Sequence, residues 1–257
     1  MTRPARHTAR HAARHAPRLV HSDELRERLS PEARTELDAL VAEVSTDPSC
    51  LGRTFPAAAR RVGRGDLGVV RDGAPVLIED AVRVELVEAA AGVLDTEQLV
   101  REVAQLYRFG DNDEKRAVLH ALNTGVVRDC GDDIVLDALR TNDTRLVAAA
   151  MGHYATEHLG DESWRQGVLK CLFVGVALHA VDGLGSRADA QLAAMVARFV
   201  HERVAAGRDV PPDVWLVLNA HPQALEAVGL ERELASPFPD RRAAAERLLD
   251  SRPTQEG

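Results

Sequence analysis

Lys115 and Lys170 are the only lysines in a chain that carries thirty arginines. An ammonium can do work that a guanidinium cannot. It can release its proton when desolvated, serve as a base or Schiff-base amine, or hold an anion as a compact charge. Lys170 stands in "WRQGVLKCLFVGVAL", among Val168, Leu169, Leu172, Phe173 and Val174, with Gln166 one helical turn before it. A charge on such an apolar helix has three outcomes: it snorkels or pairs, it contacts a ligand, or it takes part in covalent chemistry. Lys115 stands in "FGDNDEKRAVLHAL", in a first turn beside Asp113 and Glu114. There it is either a solvated cap charge or a cation lining a groove. Arg116, His120 and Asn123 follow at i, i+4 and i+7 and so share one helix face. Further along, "MGHYATEHLG" sets His153 four residues before Glu157 and Tyr154 four before His158. Two ligands at helical spacing are too few to imply a metal, and no HExxH or DxDxDG pattern accompanies them, so no metal site is expected. Cys50, Cys130 and Cys171 lack zinc spacing and read as reduced thiols, with Cys171 a small core residue.

The bulk numbers limit what could surround these groups. The 257 residues are 45% hydrophobic and 28% charged but only 4% aromatic, so aliphatic helix packing must supply the core. Residues 1–21 hold five arginines, four histidines and no acid, with Arg-His repeated every four residues at Arg6, Arg10 and Arg14. The rest of the chain keeps 27 basic against 40 acidic residues. The expectation is a disordered basic arm over 1–21 on an acidic body, with a flexible tail at 251–257. An acidic body without an aromatic platform excludes nucleic acid as a partner, the arm aside. The strongest apolar run, Val168–Val181, is fourteen residues long and is interrupted by Lys170 and His179. A membrane span needs about 20. With no secretory signal either, the location expected is cytoplasmic. There is no GxGxxG following a strand, no Walker loop and no GxSxG, and no cofactor is expected.

The elements that must position these residues are helices. "SDELRERL" opens the first with Ser22 at the cap, and Leu25, Leu29, Leu37, Leu40 and Val44 continue its stripe past a break at Pro31. Residues 53–75 hold four glycines and many arginines and read as a long connection with at most one short helix. "GVVRDGAPVLI" is the one hairpin candidate. Helices are then expected near 79–93, 96–107, 112–123, 131–140, 143–157, 162–182, 187–206, 212–219 and 239–250, with Asp95, Asn112, Asp143 and Asp161 as caps. Pairs of about 35 to 45 residues have HEAT or armadillo spacing. The fold class is therefore all-α, a single domain over 22–250 built as an irregular helical array or HEAT-like α-α superhelix.

Five stretches carry a family resemblance: "AARRVGRGDL" (58–67), "YRFGDNDEKRAVLHAL" (107–122), "WRQGVLKCLF" (164–173), "GLGSR" (183–187) and "ERVAAGRDVPPDVW" (202–215). Together they resemble the EboA family, the helical protein of bacterial ebo clusters. Both lysines fall inside them. After the 143–152 helix the chain reads "HYATEH" where the family resemblance implies an Asn-Pro-like step, so His153 and Tyr154 are not carried over as site residues. The resemblance implies a place in making or exporting a secondary metabolite, beside sugar-phosphate-isomerase-like and prenyltransferase-like neighbours. It assigns no reaction to the helical component.

Three functions fit the residues. In the first, a non-catalytic binding or scaffold protein holds a small anionic or polar metabolite, or a pathway enzyme, in a groove between helices. Lys170, Gln166, His120 and Arg187 would line that groove, with Lys115, Arg116 and Asn123 nearby. In the second, an enzyme acts on a phosphorylated sugar or cyclitol, with Lys170 as base or electrophile and His120 as its acid–base partner. In the third, residues 1–21 make a weak membrane-surface contact beside a prenyltransferase-like partner.

Overall fold

The computed structural model describes residues 19–71, 73–127 and 131–253. Helices α1 (Ser22–Arg28), α2 (Pro31–Thr46) and α3 (Leu51–Arg61) lead into an antiparallel hairpin of β1 (Asp66–Arg71) and β2 (Ala74–Leu77). There follow α4 (Ile78–Ala91), α5 (Thr96–Phe109), α6 (Asn112–Asn123), α7 (Asp132–Arg140), α8 (Thr144–Ala150), α9 (His153–His158) and α10 (Asp161–Val174). The chain closes with α11 (Leu184–Arg187), α12 (Ala190–Ala205), α13 (Trp215–Leu218), α14 (Gln223–Val228) and α15 (Pro239–Asp250). The fold is an all-α array. Helix α4 packs on α2, α3 and α6, α6 on α8, α8 on α10, and α12 on α10, α14 and α15. The calls on residues 1–18 and 254–257 lie outside the described residues. Leu19 and Val20, expected in the arm, pack against the core.

Helix α4 is the centre of the array. Val82, Leu86, Val87 and Ala90 are wholly buried, as expected of a helix enclosed on all sides. The same helix also buries Glu79, Asp80, Arg83 and Glu85. Each has a fixed partner: Gly65 donates its backbone N–H to Glu79 (2.9 Å), and Arg26 pairs with Glu85 (2.6 Å). Arg116 grips Asp80, while Arg83 donates Nε to the Phe55 carbonyl (3.2 Å) and lies against the Phe55 ring. Local reading treats charged residues as a solvated face, and here tertiary pairing overrides that habit.

Several boundaries differ from the sequence expectation, each for a physical reason. His21, not Ser22, occupies the cap position of α1, and Asp111, not Asn112, caps α6 through a reciprocal capping box with Glu114. Asp161 lies in the first turn of α10, whose cap is Gly160. The expected connection at 53–75 contains all but the first two residues of an eleven-residue helix. Gly52 and Pro56 look like breakers, yet Leu51, Phe55, Ala58, Ala59 and Val62 form a buried stripe that holds α3 together. Gly63-x-Gly65-x-x-Gly68 has the letters of a dinucleotide fingerprint, but it leads from helix into strand, the reverse of the order that aims a helix N-terminus at a pyrophosphate. The expected helix over 162–182 stops at Val174, because Gly175 takes a left-handed conformation at φ 82°.

Cys171 is fully buried on α10, and burial pushes its thiol up to about 12. Thiolate is the reactive form, so burial holds Cys171 as an unreactive thiol at pH 8. Iodoacetamide labelling resolved by peptide mass spectrometry should leave the Cys171 peptide unmodified in folded protein and modify it readily in guanidinium chloride. Rapid labelling under native conditions would contradict this placement.

Candidate functional site

A cleft of about 760 Å³ opens between the hairpin, α4, α6, α8, the start of α9 and the irregular segment 178–185. Its walls are mainly aliphatic, including Pro75, Val76, Leu77, Ala148, Val181 and Leu184. A polar row crosses it. Helix α6 contributes Arg116, His120 and Asn123, the face that the sequence spacing groups together. Arg71, Asp80, Arg145, His153, His179 and Asp182 add to the polar lining. Volume and composition match sites that enclose a small organic molecule.

The row is organised by one buried ion pair. Arg116 donates Nε and Nη2 to the two Asp80 oxygens at 2.7 and 3.1 Å, and Nη1 to Asp113 at 2.9 Å. Burial opposes the charge on Arg116, but the bonds and field of Asp80 outweigh it and hold the guanidinium above its ordinary value. Asp113 also accepts from Arg145 Nη1 (2.9 Å), and Arg145 donates Nη2 to Asp143 (2.9 Å). The Arg145 hydrogen bond holds Asp143 down to about 2. Asn112 donates to the same Asp143 carboxylate at 3.1 Å. The pairs thus run unbroken from α4 through α6 to α8.

Asn123 explains a break that the sequence reading missed. The expected helix over 143–157 is two helices, α8 and α9, meeting at Met151–Gly152. Asn123 fits into the junction. Its Nδ2 donates to the Ala149 carbonyl and its Oδ1 accepts from the Tyr154 N–H, both at 2.9 Å. It therefore satisfies an end carbonyl of one helix and a first-turn N–H of the next. A Cβ on residue 152 would collide with the Asn123 amide, so Gly152 is required by close approach. The junction places His153 in the cleft, where Nδ1 faces Asp182 at 3.4 Å. Asp182 in turn donates its N–H to Met151 (3.0 Å), and its carbonyl accepts from Thr156 (2.7 Å). Across the cleft, His179 lies under the hairpin turn: a Cβ on Gly73 would sit 2.7 Å from its Nε2.

The other sequence-nominated residues stand elsewhere. Lys170 does not join His120 in the cleft. Its ammonium reaches from α10 to the Asn142 side-chain oxygen at 2.8 Å, while its stem lies half-buried. Gln166 is exposed on the same helix. Lys115 lies over the Tyr107 ring at 5.2 Å. Burial pushes the Tyr107 phenol up, and its hydrogen bond to Asp137 (3.1 Å) adds to the shift. Arg187 caps the end of α9, donating to the Ala155, Thr156 and Leu159 carbonyls at 2.7 to 3.1 Å, and covers the Trp164 ring. None of these four lines the cleft.

The fold and site define an all-α protein built around a cleft of small-molecule size. The chain belongs to the EboA family, described as metabolite traffic proteins, whose model matches residues 74–219. Of the residues lining the cleft, all but Leu19 and Arg71 fall within that stretch. Comparison with curated proteins and with solved structures gives no match. No helix among the described residues is long and apolar enough to cross a membrane.

Asn123→Ala orphans two backbone groups and should destabilise the protein by about 2 kcal/mol. Lys170→Ala removes one surface hydrogen bond and should cost about 0.5 kcal/mol or less. Urea unfolding of the two variants checks the contrast, and equal losses would refute the assignment of Asn123 as the splice.

Proposed function

We propose that this protein is a non-catalytic carrier that holds a small amphiphilic metabolite in the cleft, apolar body against the aliphatic walls and polar end on the α6 row. The observation that carries this reading is the union of a hollow of about 760 Å³ with aliphatic walls and a polar strip in which Arg116 is held by Asp80 and Asn123 by backbone. Arg116 and Arg145 are bonded to carboxylates and Asn123 to backbone, so the wall is preorganised before a ligand arrives. The family description, metabolite traffic, accords with binding and release. A cytoplasmic setting suits the free, buried Cys50 and Cys171. The enzyme alternative joined Lys170 and His120 on one substrate, whereas Lys170 on α10 is bonded to Asn142 and stands outside the cleft that His120 lines. The membrane-surface contact through residues 1–21 falls, save for Leu19–His21, outside the described residues.

Ala148 lines the cleft on α8, partly exposed. Ala148→Trp should fill the hollow with little change in thermal stability. Native mass spectrometry of wild-type protein should show a retained small molecule that the variant lacks, and the uncharged dye N-phenyl-1-naphthylamine should bind the wild type at least about tenfold more tightly. Equal dye binding by both proteins would overturn the cleft as the site.

A further inference from the structure

The charged groups of the cleft fall into two sets. The permanent cations are already matched to carboxylates: Arg116 to Asp80, Arg145 to Asp143 and Asp113, and Arg71 to Glu24, which Arg28 shares. Asp182 adds a further negative charge beside His153. Among the described residues, the arginines of the cleft therefore leave no surplus positive charge for an anion. The second set is three imidazoles on three separate elements: His120 on α6, His153 at the start of α9, and His179 under the hairpin. Imidazole is the side chain whose charge changes between about pH 5 and 8. With the three neutral, the permanent charges balance or lean negative. With them protonated, the same hollow becomes a cationic one.

We propose that the cleft captures amphiphilic anions, an aliphatic or aromatic body with one sulfonate, carboxylate or phosphate end, in a proton-linked manner, with His120, His153 and His179 supplying the variable charge. The proposal rests on the carrier reading and adds the ligand's charge and the condition for its release. The surroundings of each imidazole fit the role. Arg116, matched by Asp80, stands one turn before His120. His153 faces Asp182, which can accept its proton-bearing Nδ1. His179 meets the hairpin backbone at Gly73 on one side, and on the other shares a smaller hollow with Asp213, whose Oδ2 accepts from the Leu178 N–H. Among the described residues, Arg145 on α8 and Arg71 on β1 complete the charges facing the hollow, each with its own carboxylate. Charge on these imidazoles makes anion binding favourable, and its loss releases the anion without any movement of the helices.

The test uses two dyes on the full chain. The sulfonate of 1-anilinonaphthalene-8-sulfonate stays charged from pH 5.5 to 8, so a pH-dependent affinity reports the protein. N-phenyl-1-naphthylamine has the same aromatic body without the charge. The sulfonate should bind about tenfold more tightly at pH 5.5 than at pH 8, and the neutral dye should change by less than about twofold. The triple variant H120Q/H153Q/H179Q should bind the sulfonate with no pH slope, and each single substitution should reduce the slope. Should the triple variant fail to fold, the singles decide the matter, and three undiminished slopes would overturn the proposal. Parallel tightening of both dyes at low pH would overturn it too, since that reports loosening of the fold. Failure of both dyes to bind at any pH would instead remove the carrier reading, and this proposal with it.

Discussion

The bidentate pair between Asp80 and Arg116 is the constraint on which the cleft depends. Both side chains are almost completely removed from water. Two isolated charges in such a place would each cost several kcal/mol, and only near-ideal geometry offsets that. The geometry is near-ideal here: two short bonds join the two carboxylate oxygens to two guanidinium nitrogens, with a third bond to Asp113. A pair of this kind contributes little net stability over a well-packed apolar alternative. It does fix register, because neither α4 nor α6 can rotate or slide without stranding a buried charge. Once α6 is fixed at Arg116, His120 and Asn123 are fixed one and two turns further along.

Asn123 then passes the register on. Its amide joins α8 to α9, the junction turns the chain so that His153 faces inward, and Asp182 is tied back to the same junction. Irregular backbone lines the hollow at two places, the break at Gly152 and the segment 178–185. Departures from local preference that collect at one hollow suit a functional surface.

The sequence made the regular elements readable. The extents of α6 and α15 follow from apolar periodicity, and Asp95 and Asp143 announce their helices by local hydrogen-bond chemistry. The Arg116–His120–Asn123 face follows from 3.6-residue spacing. What local patterns could not supply was anything set by distant partners. The split between α8 and α9 is made by Asn123, twenty-six residues from the carbonyl it caps. The burial of Asp80 depends on an arginine thirty-six residues away. His179 and Arg145 enter the site only through tertiary placement, while the rarity of lysine drew attention to Lys170, whose ammonium finds a surface amide oxygen. The hidden helix α3 shows the reverse case, where the glycines and arginines of 53–75 outweighed a stripe that was present throughout.

A double-mutant cycle on Asp80 and Arg116 tests the central claim most directly, with Asp80→Asn, Arg116→Gln and the pair compared by urea unfolding and by dye affinity. Register control by the pair requires that each single change lose about 3 kcal/mol and weaken dye binding, with a coupling energy of about 2 kcal/mol between them. Additive losses, or single variants that bind dye as the wild type does, would contradict the account.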